Sequence, residues 1–261
     1  MKVSSEKVFL DIGTHKAQEL RLLSGDQKFI VSEYIQWWVS LIIRFVKNPF
    51  RKIPVKYGEG RYIKSPFHFS LKDHLKIIYN SLIVKNLIRS CKVISVDPAF
   101  EVASKYLKKI DEEFLFFPIS LSGEDNSLSI IPLYLSNNSL SSSVFEDQDK
   151  FSKHSYCLNL SPSEFFQSLL NLNIVSNENE IILRMNCEGA ETDIIKALQK
   201  HNFNVKIILG SLGDVKKVHG NDRYQNLLKN LDSNNIVYQY FKGTDPSTWL
   251  ESFKLLKKNE L

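Results

Sequence analysis

Apolar residues fall into short dense runs. Lys7–Asp11, Lys92–Asp97, Glu180–Met185, Val205–Leu209 and Ile236–Phe241 each have strand length and an apolar-rich interior. That is how strands buried on both faces of a parallel sheet read. Further strands are expected at Glu113–Ser120 and Ser127–Leu135. Between the runs the spacing becomes helical, over Thr14–Leu23, Glu101–Lys109, Ser161–Leu172, Gly189–Gln199 and Asp222–Leu231. Alternating strands and helices predict an α/β, Rossmann-like fold: a mostly parallel sheet with helices on both faces. Residues 137–153 read as a polar loop, and Trp249–Leu256 fits either an edge strand or a helix.

Punctuation sharpens this outline. Thr14 is a candidate cap for the first helix, and Gly25 sits where a helix C′ residue belongs. Ser70 and Asp73 have capping-box spacing, and Pro162 suits a first helical turn.

The second strand arrives late. A simple βαβ unit closes in about thirty residues, yet here a segment of about 28–90 intervenes. It comprises an apolar stretch over Phe29–Val46 with Trp37 and Trp38, a Pro-punctuated basic part with a hairpin pattern at Val55–Ile63, and a helix from Ser70 onward. The expectation is a single domain over 1–261 with a helical and hairpin insertion at 28–90.

Charge singles out the same segment. The chain of 261 residues carries +5 overall, but Lys28–Lys92 holds 13 Lys/Arg against 3 Asp/Glu, leaving −5 on the remainder. Three scattered cysteines without a C-x-x-C pair argue against a disulfide framework or a zinc site, and a reducing compartment fits. No apolar targeting core precedes the first strand, and no run of about 18 apolar residues occurs, so a cytoplasmic location without a membrane span is expected.

Polar ligand-type residues end three of the expected strands: Asp11 and Gly13, Asp97, and Asn186 with Glu188. In open α/β sheets ligands bind at these carboxyl ends. Asp97 suits the two ribose hydroxyls of a nucleoside cofactor; the plainer reading is a helix-capping Asp before Pro98. Glu188 and Glu191 start a helix, where negative charge is stabilised, and for Glu191 that role is preferred.

Leu10-Asp11-Ile12-Gly13, Val96-Asp97-Pro98, Ile119-Ser120-Leu121-Ser122, Ser141-Ser142-Ser143 and Cys187-Glu188-Gly189-Ala190-Glu191 occur in one order along the chain. In this the chain resembles the FkbM-type methyltransferases over about 6–24 and 92–245. The resemblance implies a class I methyltransferase fold and S-adenosylmethionine as cofactor, with O-methylation of a sugar, glycan or related hydroxyl. It also implies that Asp11, Gly13, Thr14 and His15 line the methionine part, that Asp97 holds the ribose, that Ser120 and Ser122 lie near the adenine, and that Asn186 sits beside the sulfonium. The sequence departs from the family at Thr14, His15 and Ala17 in the first loop. It departs again at Asn186, which stands where the family has an aspartate. An amide is no carboxylate base, so Glu188 and His15 become the candidate bases, with His154 an outsider.

The rival reading is an inactive protein of the same fold serving as a binding or scaffold module. A dinucleotide dehydrogenase is disfavoured because no Gly-x-Gly-x-x-Gly follows the first strand. The insertion admits four roles: a lid holding an anionic substrate group, a peripheral membrane contact through 28–64, a homodimer contact, or a helix covering the sheet with a solvated basic face. No nucleic-acid fingerprint is present, and no nucleic-acid partner is expected.

Overall fold

The computed structural model describes residues 6–14, 17–47, 55–56, 62–63, 70–107, 114–123, 128–136, 142–143, 151–187 and 189–258. In chain order the elements begin with β1 (Lys7–Ile12), α1 (Gln18–Leu23), α2 (Gln27–Lys47), β2 (Val55–Lys56), β3 (Tyr62–Ile63), α3 (Leu71–Arg89) and β4 (Cys91–Val96). Then come α4 (Phe100–Leu107), β5 (Phe114–Phe117), β6 (Ser120–Leu121), β7 (Ser129–Ser136), β8 (Ser142–Ser143), β9 (Phe151–Leu160) and α5 (Pro162–Asn171). The chain continues through β10 (Glu180–Met185), α6 (Glu191–Lys200), β11 (Asn204–Gly210), α7 (Gly213–His219), α8 (Asn221–Ser233), β12 (Val237–Tyr240) and α9 (Pro246–Lys258).

Among the described residues six strands form the central sheet, in the order β5-β4-β1-β10-β11-β12. Every neighbouring pair is parallel. Counted in chain order this is 3-2-1-4-5-6, the doubly wound arrangement, with its switch between β1 and β10. The fold is therefore α/β and Rossmann-like. A second sheet, β6-β9-β7-β8, lies beside it.

Strand alternation divides the core in two. Val8, Leu10 and Ile12 join Leu183, Ile194, Phe165 and Leu227 on the face covered by α5, α6, α7 and α8. Phe9 and Ile182 join Leu20, Leu22, Phe29, Ile77 and Trp249 on the face covered by α1, α2, α3, α4 and α9. The inserted helices α2 and α3 thus supply side chains to the second core.

Several ends obey the expected chemistry. Gly25, at φ 76°, closes α1 with Gly25 N–H bonded to Leu22 O and Asp26 N–H to Arg21 O, a Schellman pair. Ser70 and Asp73 cap α3 reciprocally, and Ser161 caps α5 ahead of Pro162.

Two expectations change, one open choice is settled and one helix shows an added feature. The first helix begins at Gln18 behind Ala17, and Thr14 is not its cap: its hydroxyl donates to Asp11 O at 3.2 Å. The end of the expected 137–153 loop belongs to β9, which pairs antiparallel with β7. Trp249–Leu256 is helical within α9, burying Trp249, Leu250, Phe253 and Leu256 at i, i+1, i+4 and i+7. The helix over Phe29–Val46 exists, and among its described side chains Val31, Ile35, Val39, Ile42, Ile43 and Val46 form an apolar outer stripe, 46–72% exposed.

Candidate functional site

The carboxyl ends of β1, β4, β5, β10 and β11 are laced together by main-chain hydrogen bonds. Gly13 N–H donates to Val96 O at 2.8 Å, Asn186 N–H to Ile12 O at 3.1 Å, Asp97 N–H to Phe117 O at 3.1 Å and Ser211 N–H to Met185 O at 3.3 Å. These bonds bring the loops bearing Gly13, Thr14, Asp97 and Asn186 to one edge, at the switch point of the sheet. His15 and Glu188 lie outside the described residues, as does the side chain of His154.

Asp11 is turned inward. Its register partners are Ser95 on β4 and Arg184 on β10, so all three side chains share the face under α1. Arg184 Nη1 donates to Asp11 Oδ1 at 3.0 Å and to Gly13 O at 2.6 Å. Its Nη2 pairs with Glu19 Oε2 at 2.7 Å, and Glu19 Oε1 accepts from Gly243 N–H at 2.9 Å. One guanidinium therefore ties the first strand, its glycine turn, α1 and the 241–245 loop together. None of Asp11 reaches solvent.

Two carboxylates share one cation in this buried triad. Burial, only partly offset by Arg184, pushes the Asp11 carboxyl up to about 6. Burial also opposes the Arg184 charge, but Glu19 and Asp11 outweigh it and hold the guanidinium above its usual range.

Glycine at position 13 answers a packing demand. A Cβ there would overlap the Asn186 carbonyl oxygen, and φ is +77°. Gly210 is under the same constraint from the Met185 carbonyl. At the entrance of α1, Ala17 holds φ 50° while fully buried. The left-handed conformation favours glycine and costs another residue about 1–2 kcal/mol.

Asp97 is buried, and its Oδ1 accepts from Ala99 N–H at 2.7 Å. One carboxylate oxygen is thus committed to an Asx-type turn leading into α4. Ser120 and Ser122 donate to Asn159 Oδ1 at 2.8 and 2.9 Å, and Asn159 Nδ2 returns a bond to Ser122 O at 3.1 Å. Burial first, and then the Asp97 charge, push the Cys157 thiol beside Ser120 upward.

Glu191 shapes the turn after β10. Its carboxylate accepts from Cys187 N–H at 2.7 Å and Gly189 N–H at 2.9 Å. This extends the helix-start role expected from the sequence. Burial and Glu191 push the Cys187 thiol well above its ordinary range, which keeps it a protonated donor to Ile12 O at 3.5 Å. His219 bonds the Gly189 carbonyl at 2.9 Å from α7, bracing the turn from the other side.

Arg184, Glu19, Gly243 and Asn159 were not singled out from the sequence. Arg184 had a signal: it is the one basic residue inside an apolar strand that runs beside the strand of Asp11. Glu19 and Gly243 meet only through folding, 224 positions apart.

Among the described residues no group of His, Cys, Asp and Glu could hold a metal ion, and no helix is long and apolar enough to cross a membrane. No family model, curated protein or solved structure matches the chain.

Proposed function

We propose that the chain is an S-adenosylmethionine-dependent O-methyltransferase acting on a sugar, glycan or related hydroxyl. The observation that carries this reading is Asp97: a buried carboxylate at the end of the strand next to β1, in a 3-2-1-4-5-6 sheet, beside a glycine turn. A carboxylate so placed accepts hydrogen bonds from ribose hydroxyls. Its bond from Ala99 N–H fixes its orientation before a ligand arrives.

The cofactor, when bound, supplies a methyl group on a positively charged sulfur. This chain's residues align and deprotonate the acceptor. Gly13 and Thr14 offer main chain against the methionine part, and Asn186 offers an amide near the sulfonium. Ser120 and Ser122, held by Asn159, border the adenine. Glu188 and His15 are the proposed bases for the acceptor hydroxyl. Asp11 serves by position: it anchors Arg184, which grips the Gly13 carbonyl.

A second reading, an inactive binding module on the same fold, is favoured by the Asn186 amide and by the engagement of Asp11 with Arg184. Transfer of a labelled methyl group from S-adenosylmethionine to a panel of glycans separates the two. Transfer that is lost in Glu188→Gln or His15→Ala supports the enzyme. Cofactor binding without transfer supports the module, and absence of cofactor binding sinks the enzyme.

A further inference from the structure

The helix α2 has two apolar faces. Phe29, Ile30 and Trp37 are buried against the core. On the opposite side, Val31, Ile35, Val39, Ile42 and Val46 recur at spacings of 4, 4, 3 and 4 and stand exposed. Residues at such spacings share one helix face. A continuous exposed stripe of aliphatic residues marks an interaction surface. The start of α3 repeats the theme: Leu71 and Leu75 are 77% and 61% exposed, interleaved with exposed Lys72 and Lys76.

Charge identifies what the stripe meets. The segment Lys28–Lys92 carries 13 basic and 3 acidic residues in a chain whose remainder is acidic. Two copies joined through this face would bring two such segments together, and like charges repel. An anionic bilayer surface instead supplies both demands, acyl chains for the aliphatic stripe and phosphates for the lysines. Lysines flanking an apolar stripe extend their stems along it and hold the ammonium at headgroup level.

We propose that the outer face of α2, with the first turns of α3, docks the protein peripherally on an anionic lipid bilayer. The helix lies in the interface and does not span it. This proposal stands apart from the methyltransferase reading and survives if that reading fails.

The test is flotation of the full chain with vesicles of phosphatidylcholine alone or with about 30 mol% phosphatidylglycerol. Binding is expected to the anionic vesicles and to fall steeply with added salt. Val39→Asp with Ile42→Asp, and separately Lys72→Glu with Lys76→Glu, are each expected to weaken binding by at least about tenfold. Because these side chains are exposed, the melting temperature should stay within about 5 °C of the parent. Equal binding to neutral vesicles, or none to anionic ones, overturns the proposal. So does a dimer in light scattering that Ile42→Asp converts to monomer, because a second copy then covers the face. A large melting-temperature loss in Ile42→Asp also overturns it, because the face is then covered within the chain.

Discussion

Replacing Asp11 by asparagine removes one charge from a buried triad that holds two carboxylates and one guanidinium. The amide keeps an oxygen that can accept from Arg184 Nη1, now 3.0 Å from Oδ1, so geometry is retained while charge changes. In the native protein the Asp11 carboxyl is raised from 3.8 to about 6. Between those values the folded state binds more protons than the unfolded one, so this group makes stability fall as pH rises. The contribution is fully present below about pH 4 and is lost as pH climbs through 6. A shift of about two units corresponds to about 3 kcal/mol. The amide of the variant does not titrate and has no such dependence. Urea unfolding followed by circular dichroism from pH 4 to 7 should therefore show the stability of Asp11→Asn gaining on the parent by up to about 3 kcal/mol. Carboxylates such as Asp26, held low by hydrogen bonds and by Arg21 despite partial burial, act equally in both proteins and cancel. A difference that is flat with pH, or that shrinks as pH rises, refutes the excess-charge account of the triad.

Three other substitutions probe the same edge of the sheet, with Gly123→Ala as a comparison for one of them. Arg184→Met leaves Asp11 and Glu19 buried without their cation and should cost about 3–5 kcal/mol at pH 7 by urea unfolding, with a smaller loss near pH 4 as Asp11 takes up a proton. Gly13→Ala places a Cβ against the Asn186 carbonyl at positive φ, and thermal melting should show a loss of about 2 kcal/mol or more. Gly123→Ala should lose less, since a Cβ there meets nothing within 4 Å and only the positive φ opposes it. Glu191→Gln leaves one acceptor for two backbone N–H groups and should cost about 1–3 kcal/mol, with faster hydrogen exchange at Cys187 and Gly189.

The parallel sheet was legible because each strand carries its own signal. Glu180–Met185 lies between polar flanks, and the observed strand has the same bounds. Caps were legible for the same local reason, as at Ser70 and Ser161. What escaped depends on partners distant in sequence. β9 contains Ser, Lys, His and Asn and becomes a strand because β7 and β6 flank it. The site divides the same way. Its place at the strand ends was readable, but the direction of Asp11 was not. Strand alternation gives it the parity of Phe9, which points beneath α1, and Arg184 lies opposite in register. Pairing register between strands 173 positions apart is a property of the fold rather than of either strand. Position 17 is a related case: the first helix was expected to run through it from Thr14, whereas the chain turns left-handed there.

The central claim concerns Asp97, and calorimetric titration with S-adenosylmethionine addresses it most directly. The proposal predicts saturable one-to-one binding that Asp97→Asn weakens about 10- to 100-fold, the loss expected when charge-assisted bonds to ribose become neutral ones. Asparagine keeps an oxygen for the Ala99 N–H, so the turn into α4 and the melting temperature should be preserved. No binding by the parent chain, or equal affinity in Asp97→Asn, would contradict the account.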